Sequence, residues 1–115
     1  MYSARFTADA IENIRALDNG VRNALRKAIQ EKVLGDPTGC SEELSEPLAG
    51  FRSFHFGDCR LVYRVYEDWQ AIAVVGVGLK SDDRESDIYK RLEKLAHGGR
   101  LADRLLATIK LFSAP

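Results

Sequence analysis

Two arginines four residues apart, Arg60 and Arg64, stand in the alternating run Cys59-Arg60-Leu61-Val62-Tyr63-Arg64-Val65-Tyr66. Strand periodicity puts Arg60, Val62, Arg64 and Tyr66 on one face and Cys59, Leu61, Tyr63 and Val65 on the other, and the second set is expected to be core. Two guanidinium forks projecting from one rigid strand suit phosphate oxygens, which they can grip through paired hydrogen bonds. The competing use of Arg60 is a salt bridge to Asp58 or Glu67. Of the two histidines, His55 shares strand parity with Ser53 and Phe51, whereas His97 precedes Gly98-Gly99 at an expected helix end and suits a favourable C-terminal charge there. Lys80 ends an apolar run, where a solubilising charge is the simple reading, and Tyr89 follows Ile88 on an expected helix, where its ring can pack with the hydroxyl in water. Cys40 and Cys59 have neither Cys-x-x-Cys spacing nor a histidine cluster. They read as reduced thiols, with no metal or cofactor implied.

These residues need a scaffold to position them, and 115 residues suffice for one modest core. One domain over residues 1–115 is expected, with 100–112 an additional C-terminal helix. Tyr2, Ala4 and Phe6 alternate with Ser3 and Arg5, which predicts a short opening strand, and Thr7 is placed to cap a helix carrying Ala10, Ile11, Ile14 and Leu17. Asp18-Asn19-Gly20 reads as a turn. A second helix is expected from about Val21 to Leu34, ended by Gly35-Asp36-Pro37, so the pair forms a helical hairpin. Residues 35–50 read as a long, mostly irregular connection anchored by Leu44 and Leu48. Strand signals then follow over Phe51–Phe56, Cys59–Tyr66 and Ala71–Leu79, close enough for an antiparallel meander. Ser86 or Asp87 can cap a helix through Ile88, Leu92 and Leu95, and Leu101, Leu105, Ile109 and Phe112 share one face of the last helix. The fold class is therefore α+β.

Seventeen basic residues balance seventeen acidic ones, which excludes strong nonspecific attraction to nucleic acid. Any such binding must come from a local patch. No basic segment followed by a long apolar run opens the chain, and no apolar stretch approaches a membrane span, so a cytoplasmic protein without a membrane partner is expected.

The segment Leu48-Ala49-Gly50-Phe51-Arg52-Ser53-Phe54-His55-Phe56-Gly57-Asp58-Cys59-Arg60-Leu61-Val62-Tyr63-Arg64-Val65 resembles the central signature of RelE/ParE toxins. In that family a Leu-x-Gly precedes a strand with basic residues, a Gly-Asp or similar turn follows, and an Arg-hydrophobic-hydrophobic-Tyr strand comes next. Ala73-Val74-Val75-Gly76-Val77-Gly78-Leu79-Lys80 is similar to the family strand that ends in a glycine and a basic residue, and Asp87-Ile88-Tyr89 resembles the start of its closing helix. With the helical hairpin, the resemblance covers about residues 2–95. It implies a RelE-like fold and the toxin role in a type II toxin-antitoxin pair, with a cognate antitoxin protein as partner.

Two toxin activities follow from the resemblance. In the first, ribosome-dependent cleavage of mRNA, the 2′-hydroxyl of the message attacks the adjacent phosphate without a metal. The resemblance then offers Tyr89 as base or hydroxyl positioner, Arg60 and Lys80 as stabilisers of the phosphorane, His55 as proton donor, and Arg52 and Arg64 as RNA-binding residues. The second activity is ParE-like inhibition of DNA gyrase, and a third reading is a catalytically inert antitoxin-binding module. Two departures from RNA-cleaving members thin the positive field. Arg52 is the only lysine or arginine between Phe51 and Phe56, and the acidic stretch Ser81-Asp82-Asp83-Arg84-Glu85-Ser86-Asp87 follows Lys80.

Overall fold

The computed structural model describes residues 1–79 and 87–109. The opening strand, β1 (Ser3–Phe6), leads into helix α1 (Ala8–Arg15), and Thr7 caps it as expected, its Oγ1 accepting from the Ala10 amide at 3.1 Å. Helix α2 (Asn19–Ala28) continues into a wider π turn over Ile29–Val33. Asn19 and Gly20, expected in a turn, lie instead in the first turn of α2. The corner is secured by Arg22, whose Nη2 donates to the carbonyls of Arg15 and Leu17 at the end of α1.

The long connection holds a two-residue strand, β2 (Glu42–Glu43), and then the expected meander of β3 (Arg52–Phe56), β4 (Cys59–Tyr66) and β5 (Ala71–Leu79). The five strands run in the order β1-β5-β4-β3-β2. β1 pairs parallel with Ala71–Val74 of β5, and the remaining pairs are antiparallel, so the sheet is mixed. Where β1 ends, the Val77 amide on the open edge of β5 donates to Asn13 Oδ1 at 3.1 Å. Helices α3 (Ile88–His97) and α4 (Arg100–Ile109) follow. Asp87 caps α3, accepting from the Lys90 amide at 3.1 Å. No helix among the described residues is long and apolar enough to cross a membrane.

The sheet is buried on both sides. Leu25, Ala28, Ile29 and Val33 pack with Phe54, Cys59, Leu61, Tyr63, Ile72, Val74 and Val77 on the first face. Ile88, Leu92, Leu101 and Leu105 cover Leu48, Phe51, Val62, Ala73 and Val75 on the second. This corrects the expectation that only the Cys59 set of β4 would be core: Val62, between the two arginines, is fully buried because α3 and α4 lie over it. The side chain of Ile109 and all of Phe112 lie outside the described residues.

A register shift beside Val62 and Tyr63 leaves Val75 as an extra residue on β5, so Val75 joins the second core while Val74 and Val77 face the first. A Cβ added to Gly76 would stand 3.1–3.2 Å from the side-chain ends of Ile88 and Leu92. The missing side chain is what lets α3 lie this close to the sheet.

Candidate functional site

The second face of the sheet gathers the polar side chains at the end where β3 turns into β4. His55 and Arg60 are cross-strand partners, Arg60 in turn pairs with Gly78 on β5, and the neighbouring row is Ser53, Val62 and Gly76. α3 crosses this face on Ile88 and Leu92 and brings Tyr89 to β3. There its Oη lies 2.7 Å from Oγ of Ser53, which is almost fully buried. The bland reading of Tyr89 thus holds only for its ring, which packs against the second core; the hydroxyl has a fixed protein partner.

Arg60 makes neither of the salt bridges considered for it. Its Nη1 donates to the carbonyls of Gly57 at 2.8 Å and Cys59 at 3.1 Å, and its buried Nε has no hydrogen-bond partner among the described residues. The guanidinium is thereby folded against the β3–β4 turn, and among the described residues its Nη2 donates to no group. His55 is exposed, with Nε2 3.9 Å from Glu42 Oε2 on β2.

Arg64 shares the face of Arg60 but lies further along β4, where it is exposed, its guanidinium carbon 5.8 Å from the centroid of the Tyr66 ring. Tyr66 in turn lies 5.4 Å from Trp69, ring to ring, and burial pushes its phenol up against the opposing pull of Arg64. Arg52 is on the opposite face. Its Nε donates to Ser41 Oγ at 2.7 Å and its Nη2 to the carbonyls of Thr38 and Ser41 at 3.0 Å, which fastens the long connection to β3. Lys80 lies outside the described residues, as do residues 81–86 of the acidic stretch. His97 sits exposed in the last turn of α3, where its charge suits the helix dipole.

His55, Arg60 and Tyr89 therefore share one end of one sheet face, whereas Arg52 and Arg64 are elsewhere. Sequence reasoning missed Ser53 as the partner of Tyr89, although it shares the parity of His55. It also missed Arg91, whose Nη2 lies 2.7 Å from where a Cβ on Gly78 would stand. The available signal was the pair Gly76 and Gly78 within an otherwise apolar strand, which marks a close approach by another element. Among the described residues no group of three or more His, Cys, Asp or Glu side chains is placed to hold a metal ion.

A mixed sheet with a helical hairpin on one face and closing helices on the other is an α+β architecture of the RelE-like kind. A family model described as ParE toxin of type II toxin-antitoxin system, parDE, matches residues 4–84, and the chain belongs to that family. Solved structures give the same fold. The isolated E. coli RelE toxin is 25% identical with a TM-score of 0.61, covering 82% of this chain and 97% of that one. The toxin-antitoxin complex RelBE2 from Mycobacterium tuberculosis is 24% identical with a TM-score of 0.65, covering 68% and 96%. The YoeB/ParE toxin from Agrobacterium tumefaciens is 20% identical with a TM-score of 0.58, covering 69% and 99%. No curated protein matches the chain.

Proposed function

We propose that this type II toxin is a metal-independent endoribonuclease that cuts mRNA on the ribosome, held in check by a cognate antitoxin protein. The observation that carries the reading is the Tyr89 hydroxyl, fixed at 2.7 Å by Ser53 in the row next to the cross-strand pair His55 and Arg60. Cleavage by an adjacent 2′-hydroxyl needs that hydroxyl oriented or deprotonated, the phosphorane charge stabilised and the leaving 5′-oxygen protonated. Tyr89 serves the first need, Arg60 with Lys80 the second, and His55 the third. Arg64 is exposed on the same face and suits RNA phosphates further along the strand. Arg52 lies on the other face with its guanidinium engaged by Thr38 and Ser41, so it is left out of the RNA-binding set. The antitoxin partner is supported by the family and by neighbours solved as toxin-antitoxin complexes.

The test is single-turnover cleavage of message on programmed ribosomes. Arg60→Ala, Lys80→Ala and Tyr89→Phe are each expected to slow the step about a hundredfold, with ribosome binding and folding little changed. A second reading, inhibition of DNA gyrase, is favoured by the match to the ParE family model and by the thin positive charge of β3. That protein would cut no message and would instead stabilise gyrase-dependent breaks in supercoiled plasmid. Wild type that does neither while binding its antitoxin tightly would leave the inert antitoxin-binding module.

A further inference from the structure

The geometry points to Arg91 as an additional phosphate-contacting side chain of this site, admitted over the sheet by Gly78. The inference rests on the reading of the site as an RNA-cleaving centre. Arg60 has committed one nitrogen to two backbone carbonyls of its own turn, so it offers a developing phosphorane only part of its fork. Beyond Lys80, a further cation on the same face would add to this charge, and β3 supplies no lysine or arginine there, because Arg52 points to the other face and is held by Thr38 and Ser41. Arg91 comes instead from α3.

Three adjacent strands contribute successive members of one transverse row: His55 on β3, Arg60 on β4 and Gly78 on β5. At Gly78 the place of the missing side chain is taken by the Arg91 guanidinium, since an added Cβ would lie 2.7 Å from its Nη2 and 3.3 Å from Ile88 Cβ. Neighbouring strands stand about 4.8 Å apart, so the backbone positions that carry His55 and Arg60 and the one over which Arg91 lies follow each other across the sheet on a single face. Tyr89 and Arg91 lie on either side of the Ile88 and Leu92 contact, one toward β3 and the other toward β5.

The concavity between α1, β5 and α3 that Arg91 also borders contains Asp9 and Glu12. Asp9 is taken by Arg104 at 2.7 Å, and Arg91 enters no ion pair among the described residues. Arg91 is exposed, and Glu12 is the acidic neighbour in that concavity with which a ligand phosphate would compete. A structural role for the guanidinium would predict a stability loss on truncation; a phosphate-contacting role predicts a loss in the chemical step.

The experiment is single-turnover cleavage at saturating programmed ribosomes, with urea unfolding run in parallel on each variant. Arg91→Ala is expected to slow cleavage at least about tenfold with its unfolding midpoint unchanged, and Arg91→Lys to restore most of the rate. Gly78→Ala, which displaces the guanidinium, should reproduce the defect in the wild-type background and add little to it in Arg91→Ala. A wild-type rate in Arg91→Ala, or additive losses in the double variant, would overturn the role of Arg91 while leaving the nuclease reading intact. Absence of cleavage by the wild type would overturn the nuclease reading and this inference with it.

Discussion

The 2.7 Å contact between Ser53 Oγ and Tyr89 Oη joins a nearly inaccessible strand residue to a half-buried helix residue, and it fixes the phenol more tightly than ring packing alone. Either oxygen can donate, so the pair can leave the Tyr89 oxygen with a free lone pair or a free proton according to what the substrate presents. Ser53→Ala removes the partner while water can still reach the tyrosine, so stability should fall by about 1 kcal/mol and no more. Cleavage should slow by about tenfold, and the double variant with Tyr89→Phe should be no slower than Tyr89→Phe alone, because both act through one hydroxyl. Single-turnover rates for the four proteins of this cycle decide the matter, and full additivity would detach Ser53 from the role of Tyr89.

At the scale of elements, α3 is the part that assembles the site, and three local features set its position. Asp87 starts the helix at its cap, Gly76 lets Ile88 and Leu92 sit on the sheet, and α4 closes over the same core with Leu101 and Leu105. α4 is also tied to α1 by the 2.7 Å contact of Arg104 Nε with Asp9 Oδ2, which joins the two ends of the chain. That pair is more than a third exposed, so Arg104→Ala should cost less than about 1 kcal/mol. Truncation after Gly99 is different in kind. It opens the second core where α4 packs on β5 and α3 and deletes Leu101 and Leu105, two buried leucines, each of which is a loss of about 2–5 kcal/mol on removal from a core. Urea unfolding and binding of an apolar dye should report a strongly destabilised chain with exposed core, and antitoxin affinity should weaken with it. Unchanged stability and affinity after truncation would make α4 a passive tail.

The whole molecule carries a titration that has nothing to do with catalysis. Tyr63 is fully buried in the first core and donates its hydroxyl to the Pro37 carbonyl of the long connection at 2.6 Å, with Cys40 Sγ 3.6 Å away. Burial pushes this phenol well above its ordinary value, against the weaker downward pull of Ser41, and it pushes the buried Cys59 thiol up as well. Both groups are neutral in the folded and unfolded chain at neutral pH, so the stability linked to them is fully present there. As pH rises past the ordinary thiol and phenol values the unfolded chain ionises first, and stability falls, by up to about 1.4 kcal/mol per pH unit for each group. Urea midpoints measured from pH 7 to 11 should drop above about pH 9. Tyr63→Phe should lower stability at pH 7 by about 1 kcal/mol, by removing one of the two hydrogen bonds to the Pro37 carbonyl, which keeps that from Ser41 Oγ, yet flatten the alkaline decline. An alkaline slope identical in Tyr63→Phe and wild type would assign the decline to other groups.

Much of this molecule was decided locally and could therefore be read along the chain. Thr7 and Asp87 cap because a short side-chain oxygen reaches amides three residues on, and the three meander strands follow from alternation broken by Gly57-Asp58 and by the turn at Glu67–Trp69. Period two grouped Arg60 with Arg64 on β4 and His55 with Ser53 on β3, and the strand register then set His55 opposite Arg60 on one face. What alternation cannot say is which face is covered, and here both are, so Val62 between two arginines is core. Pairing direction was equally out of reach, since β1 lies parallel to a strand some 68 residues later, and only the packed hairpin brings Ser3 beside Ala71. The partners of the key side chains, Ser53 for Tyr89, Gly78 for Arg91 and the carbonyls of Gly57 and Cys59 for Arg60, depend on where α3 lands and how β4 turns. Such contacts join residues far apart in sequence, or select one rotamer among several, and only tertiary packing makes that selection.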